Sequence, residues 1–107
     1  MRPTYHTTDA FGMTRICPDP DGLREVLESL EEAEEADFPD VSLIHVSGWT
    51  ITVDIRWTAV LERMQPPEAP LRLIRLEGLA DALALWLLLA RGDLEAVLQL
   101  PWAEPQD

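Results

Sequence analysis

Residues 41–64 carry the clearest structural signal in the chain, and their sequence is VSLIHVSGWTITVDIRWTAVLERM. Between Trp49 and Trp57, apolar side chains alternate strictly with polar ones, which is the pattern of a half-buried β-strand. Residues 41–46 predict a preceding strand because they are rich in β-branched and apolar types. Ser47-Gly48 lies between the two segments and favours a turn, so this part of the chain predicts an antiparallel hairpin.

The same stretch and the residues after it predict two further strands. A single strand across all of the alternating residues would be unusually long, so we expect a turn or bulge within residues 54–57. A new strand then runs over about residues 58–64. Residues 65–70 contain three prolines and predict a loop. Residues 71–76 can form the last strand of the sheet.

An amphipathic helix is predicted before the sheet, over about residues 20–35. Asp19 can cap its N-terminus, and Pro20 suits the first helical position. Apolar side chains then follow with helical spacing at Leu23, Val26, Leu27 and Leu30. The helix therefore has one apolar face to bury against the sheet.

A pair of helices is predicted after the sheet. Residues 79–90 are apolar nearly all round the helix, so this segment needs burial on more than one side. Gly92 ends it, and Asp93 caps a short helix over about residues 94–98. Either this short helix and Trp102 cover the second apolar side, or a second copy of the chain covers it.

Together these elements predict an α+β fold. It consists of a three- to four-stranded antiparallel sheet packed against an N-terminal amphipathic helix and a C-terminal helix pair. A length of 107 residues with 47% hydrophobic composition suits one packed domain over residues 1–107. Residues 1–18 are irregular by pattern, although residues 4–8 could add a short edge strand.

The overall charge excludes some classes of partner. Twenty Asp and Glu residues against eight Lys and Arg residues give a formal net charge of -12. Nucleic acids and anionic membranes are held mainly by Lys and Arg, so we expect direct binding to neither. The apolar segment 79–90 is also shorter than the roughly 20 residues that cross a bilayer. Recognition of a protein or a small molecule remains.

The negative charge is concentrated in one segment, residues 25–40, which holds eight acids and no base. The pairs Glu28/Glu32 and Glu31/Glu35 place like charges one helical turn apart, which costs about a few tenths of a kcal/mol per pair. Helix stability therefore does not explain this face. It predicts a docking surface for a basic partner, and the alternative is a solvated face that keeps the protein soluble.

No pattern in the sequence predicts catalysis. His6 and His45 are too far apart in sequence to form a local ligand pair. Cys17 has no nearby basic residue except Arg15, whereas a nucleophile needs an activated thiolate and a base. No glycine-rich phosphate loop occurs. We therefore expect no enzyme activity, no metal and no cofactor. A deep pocket around His45, lined by Asp54 or Arg56, would favour a small enzyme instead.

The compartment is suggested by the N-terminal segment and the single cysteine. Cys17 has no second cysteine with which to form a disulfide within the chain, which fits a reducing environment. Residues 1–14 lack the apolar run of a signal peptide. We expect a cytoplasmic protein.

Two segments resemble a known class of protein. Residues 38–50, FPDVSLIHVSGWT, and residues 85–94, LWLLLARGDL, followed by Pro101-Trp102, are similar to small acidic proteins of high-GC bacteria. Some of those proteins look like immunity partners of polymorphic or contact-delivered toxins. The resemblance implies a protein inhibitor, but it assigns a role to no individual residue.

These observations favour a non-enzymatic protein-binding module, most concretely an immunity-type inhibitor whose acidic surface covers the basic active site of a toxin. A toxin that acts on nucleic acid would offer such a site, because it must attract phosphate. The predicted contact surface consists of six acids and one possible aromatic anchor: Glu28, Glu31, Glu32, Glu35, Asp37, Asp40 and Trp57. The alternative is a homo-oligomeric structural or adaptor protein, such as a homodimer, assembled through the apolar 79–90 helix.

Overall fold

A computed structural model describes residues 4–33, 39–63 and 72–103 of the chain. The described residues form a six-stranded antiparallel sheet and three helices. The α+β class is confirmed, but the expectation of three to four strands is wrong. In chain order the elements are β1 (Tyr5–Thr8), β2 (Thr14–Ile16), α1 (Pro20–Glu32), β3 (Asp40–His45), β4 (Trp49–Asp54), β5 (Thr58–Arg63), β6 (Arg72–Arg75), α2 (Leu79–Ala90) and α3 (Leu94–Leu98).

The two additional strands are both in the N-terminal segment that the sequence pattern leaves irregular. The strand order is β2-β1-β3-β4-β5-β6, so β1 lies inside the sheet and β2 forms the edge. Residues 4–8 do form a strand, as the sequence allowed, but not an edge strand. β1 and β2 are too short to show a clear alternation, and pairing with β3 supplies the hydrogen bonds that stabilise β1.

The central strands agree with the sequence prediction. β3 and β4 pair antiparallel across residues 46–48, where Gly48 has a φ of +96° that a side chain would disfavour. The expected turn follows β4. The Asp54 carboxylate accepts hydrogen bonds from the backbone N–H groups of Arg56 at 2.9 Å and Thr58 at 3.0 Å, and so it starts β5 in a new direction.

The last strand forms the second edge of the sheet. β6 falls within the predicted residues 71–76 and pairs with β5. On its outer side, Leu73 and Ala103 exchange two backbone hydrogen bonds of 2.7 Å. The chain therefore covers part of this edge with its own C-terminal segment. The loop predicted over residues 65–70 lies outside the described residues.

The core lies between one face of the sheet and the helices. Cross-strand partners share a face, and Thr7, Leu43, Ile51 and Leu61 form one row across four strands. All four side chains are fully buried, and the three apolar ones belong to the same cluster as the apolar residues of α1 and α2. On the other face, the row Thr8, Ser42, Thr52 and Val60 is only half-buried.

α1 begins as predicted and ends earlier. The Asp19 side chain accepts a hydrogen bond from the Gly22 backbone N–H, and Pro20 is the first helical residue. The helix ends at Glu32, with Ala33 as its C-cap, rather than at residue 35. Ala33 leaves helical geometry, with its N–H donating to the Ser29 carbonyl.

The chain itself covers the apolar α2 helix. Its fully buried Trp86 donates from Nε1 to the Ile51 carbonyl at 3.2 Å, which joins the helix to the sheet. On the other side, α3 packs against α2, and Trp102 donates from Nε1 to the Val97 carbonyl at 2.7 Å. α1 also packs against α2. The chain therefore provides the first of the two coverings that the sequence left open, with Leu83, Leu87 and Leu88 remaining half-buried. Among the described residues, no helix is both long and apolar enough to cross a membrane.

Candidate protein-binding surface

The solvent-facing side of α1 carries the acids that the sequence singled out. Leu23, Val26, Leu27 and Leu30 are buried, so the helical period places Glu28, Glu31 and Glu32 on the opposite side. All three are exposed. Glu28 and Glu32 are one turn apart on this face, as the sequence predicted. The last turn of the helix contains no base that would offset its dipole.

Two cations lie near this face: Arg15 of β2, and Arg24, which is exposed one turn before Glu28 on α1. Arg15 of β2 forms an ion pair with Glu25 at 2.8 Å, and both side chains are substantially exposed. Within residues 4–33, 39–63 and 72–103, this is the one ion pair closer than 4.0 Å. Glu28, Glu31 and Glu32 therefore have no ion-pair partner within 4.0 Å among these residues.

Beside the acids is a feature that the sequence analysis missed. The β1–β2 turn exposes two large apolar side chains, with Phe11 61% and Met13 64% accessible. Ile16 of β2 is 62% accessible, but it belongs to the other face of the sheet, because its neighbour Arg15 points towards α1. These side chains are only scattered anchors in the sequence, and no periodicity marks them. A short apolar group in an irregular segment that precedes an acidic helix is the one signal that could have found them.

The turn that carries Phe11 and Met13 has a defined shape. The Asp9 carboxylate accepts hydrogen bonds from the backbone N–H groups of both residues, each at 2.9 Å. The Asp9 N–H donates to the Met13 carbonyl, also at 2.9 Å. Gly12 completes the turn with a φ of +85° and donates to the Asp9 carbonyl at 3.0 Å. Asp9 thus stabilises the turn through its carboxylate, its backbone N–H and its backbone carbonyl.

A side chain of α1 joins the turn to the helix. The hydroxyl of buried Ser29 accepts a hydrogen bond from the Ala10 N–H at 3.1 Å and donates to the Val26 carbonyl. β1 and β2 form a hairpin, which we call the hairpin from here on. At its open end, the Tyr5 hydroxyl donates to the Pro18 carbonyl, just before α1. Burial is the main reason that the pKa of Tyr5 is raised. The hairpin and the acidic helix therefore form one continuous surface.

Between the hairpin and α1 lies an open hollow of about 280 Å³. Four carboxylates contribute to its lining, together with one cation, one aromatic ring and one hydroxyl: Asp9, Glu25, Glu28, Glu32, Arg15, Phe11 and Ser29. Phe11, Glu28 and Glu32 thus line the same hollow. We call the exposed surface of Phe11, Met13, Glu28, Glu31 and Glu32 the hairpin–helix surface.

Of the predicted acids that the structure describes, Glu31 and Asp40 do not line this hollow. Asp40 is exposed at the start of β3 and pairs in register with Asp54. Both line a separate hollow of about 240 Å³ together with Thr52 and Val60, which belong to the half-buried face of the sheet. Glu35 and Asp37 lie outside the described residues.

Trp57 lies at the turn after β4, but it is not freely exposed. Its side chain is half-buried and packs against the core cluster. Its backbone adopts a φ of +62°, held by a hydrogen bond from its N–H to the Asp54 carbonyl and one from the Leu76 N–H to its own carbonyl. These contacts give Trp57 a structural role at the edge of the core.

The two histidines lie closer together than their sequence separation indicates. β1 pairs with β3, so His6 and His45 both contribute to the lining of one open hollow of about 280 Å³. Their side chains belong to opposite faces of the sheet, because His6 is opposite Ile44 and His45 is opposite Tyr5. Burial lowers the pKa of His45, and its Nδ1 accepts a hydrogen bond from the Ser47 N–H at 3.1 Å. Asp54 and Arg56 line the separate hollow beside β4. The pocket that would have favoured an enzyme, with these residues around His45, is not found in the described part of the chain.

The described residues contain no group of three or more His, Cys, Asp or Glu side chains arranged to hold a metal ion. Comparison of the chain with protein-family models, characterised proteins and solved structures found no match.

Proposed function

We propose that this chain is a non-enzymatic protein-binding module, specifically an immunity-type inhibitor that covers the basic active-site cleft of a toxin. The observation that carries the proposal is the face of α1, where Glu28, Glu31 and Glu32 are exposed and unpaired among the described residues. Such a face attracts a cationic surface over long range and speeds the encounter with it.

The class of toxin follows from the charge. An enzyme that acts on nucleic acid needs a cationic cleft to hold phosphate groups, and an acidic protein surface can occupy that cleft in their place. This toxin would meet its substrate inside the cell, so the proposal places the inhibitor in the cytoplasm. The single cysteine, Cys17, is free and exposed, which is compatible with a reducing compartment.

The test begins with affinity purification of the tagged protein from its own host. Glu28→Lys with Glu32→Lys serves as the surface variant, and Glu77→Lys with Glu95→Lys as the matched control, since all four glutamates are exposed. Both variants change the net charge equally. We expect a cationic protein to co-purify with the wild type and with the control, and to co-purify less or not at all with the surface variant.

Association kinetics with the purified partner then distinguish an effect of the α1 charges from an effect of the protein's net charge. The surface variant should slow association about tenfold at low salt and flatten its salt dependence, while the control stays near the wild type. Equal slowing by both variants, or no slowing by either, would contradict the assignment of this surface. The partner should also act on nucleic acid and lose that activity when bound, and a partner without such activity would overturn the inhibitor proposal.

A further inference from the structure

We infer that the β1–β2 turn is the apolar anchor of the same interface, with Phe11 and Met13 entering an apolar pocket of the partner that is rimmed by cations. This inference rests on the proposed function and adds the chemistry of the contact. In this inference, apolar contacts of the turn slow dissociation of the partner, and the charge of α1 attracts the partner over long range.

The first support is the cost of leaving these side chains in water. Six large hydrophobic side chains are exposed among the described residues, and two of them, Phe11 and Met13, lie two positions apart on the β1–β2 turn. Single exposed apolar residues are ordinary on a protein surface, whereas a local concentration of them is typical of interaction sites. Phenylalanine and methionine are both enriched at the centres of protein interfaces.

The second support is the order of the turn before any partner arrives. Asp9 accepts two backbone hydrogen bonds within the turn, and Ser29 connects the turn to α1. A loop that already holds its bound shape loses less conformational entropy on association. The structure therefore presents Phe11 and Met13 in a form suited to docking.

The third support is the charge around the ring, which selects the kind of partner. Phe11 shares its hollow with Glu28 and Glu32, so a pocket that receives Phe11 brings its own rim against these carboxylates. Cationic side chains on that rim would be complementary. A second copy of this chain would instead set two acidic faces against each other, which disfavours self-association through this surface.

The experiment uses a random peptide library displayed on phage and selected against the wild-type protein. Selected peptides are synthesised, and their association and dissociation rates are measured at low and high salt. The test variant carries Phe11→Ser and Met13→Ser. The matched control carries Ile55→Ser and Leu98→Ser, which are also exposed apolar residues but lie at the β4–β5 turn and on α3. Circular dichroism and unfolding midpoints check that each variant is folded.

The expected peptides combine Lys or Arg with a bulky apolar residue. The test variant should raise their dissociation rate about tenfold or more at both salt concentrations, because burial of an apolar anchor is not screened by salt. The control should leave the rates near those of the wild type. Selected peptides without this composition, or peptides that bind the test variant as tightly as the wild type, would overturn the inference.

The variant Glu28→Lys with Glu32→Lys separates this inference from the proposed function. If it slows peptide association while the loss of Phe11 and Met13 changes nothing, the acidic surface stands and the apolar anchor fails. If neither variant has an effect, both fail. Sedimentation tests whether a second copy of this chain binds the turn instead. A wild-type dimer that becomes a monomer in the test variant would show this and overturn the inference.

Discussion

The turn and strand at residues 9–16 and the helices at residues 79–98 contrast in how their apolar side chains are covered. α2 is the most apolar part of the chain, yet it exposes no large hydrophobic side chain, because α1, the sheet and α3 all pack against it. The hairpin is far less apolar in sequence, yet it exposes Phe11, Met13 and Ile16. Apolar density along a sequence therefore does not locate an exposed apolar surface, which depends on what the rest of the chain can cover.

The largest expected effect tests that contrast directly. Trp86→Ala removes a fully buried ring and its hydrogen bond to the Ile51 carbonyl, and should lower the free energy of unfolding by about 3–5 kcal/mol. Phe11→Ser removes an exposed ring and should change it by no more than about 0.5 kcal/mol. Urea unfolding followed by fluorescence measures both.

Trp86→Phe provides a milder variant in case Trp86→Ala does not fold. It retains most of the packing and loses the hydrogen bond, so its unfolding free energy should fall between those of the wild type and Trp86→Ala. Equal losses for Phe11→Ser and the Trp86 variants would show that the hairpin is as deeply packed as α2, and the contrast would be wrong.

A smaller effect is expected at the connection between the hairpin and α1. Ser29→Ala removes the acceptor for the Ala10 N–H and should lower the free energy of unfolding by about 1 kcal/mol. Hydrogen exchange at Ala10 should become faster. Ser42→Ala is the control, because it also removes a hydroxyl hydrogen bond, that to Thr52 at 3.0 Å, but lies outside the hairpin. Unchanged exchange at Ala10 in Ser29→Ala would mean that the turn does not depend on this contact.

The smallest effect concerns His45, which lies beside the turn that joins α2 to α3. A Cβ placed on Gly92 would lie 3.5 Å from the His45 Nε2, so the ring contacts this turn closely. Burial lowers the pKa of His45 from its ordinary value of 6.5, so the folded state favours the neutral ring. The resulting stability is complete above pH 6.5 and decreases as the pH falls from 6.5 towards the folded-state pKa.

Unfolding measured across this pH range compares the wild type with His45→Asn, in which His6 remains. The wild type should lose stability on acidification relative to the variant. Parallel curves for the two proteins would exclude His45 as the source of any pH dependence.

The elements that were predicted correctly are those with strong local signals. The alternation after Trp49 gave β4, and the Asp54 turn follows it as expected. Asp19 and Asp93 cap their helices through hydrogen bonds to the Gly22 and Ala96 backbone N–H groups. In each case the interacting residues are only a few positions apart in the chain, so a short stretch of sequence is enough to predict the structure.

The candidate surface was only partly predictable for the same reason. Exposure of Glu28, Glu31 and Glu32 follows from the helical period once the apolar face of α1 is recognised. Phe11 and Met13 lie in the turn before β2, well before Glu28 in the sequence. Only the packing of the hairpin against α1 places Phe11 beside the acids of the helix.

Local physical chemistry is readable from this sequence: the periodicity of α1 and β4, the caps and turns, and the concentration of negative charge in residues 25–40. Tertiary structure alone placed β1 inside a six-stranded sheet, covered α2 with the chain's own C-terminal segment, and left the hairpin uncovered beside the acids. The physical reason is that hydrogen bonding and periodicity act between near neighbours, whereas burial depends on which distant segments meet.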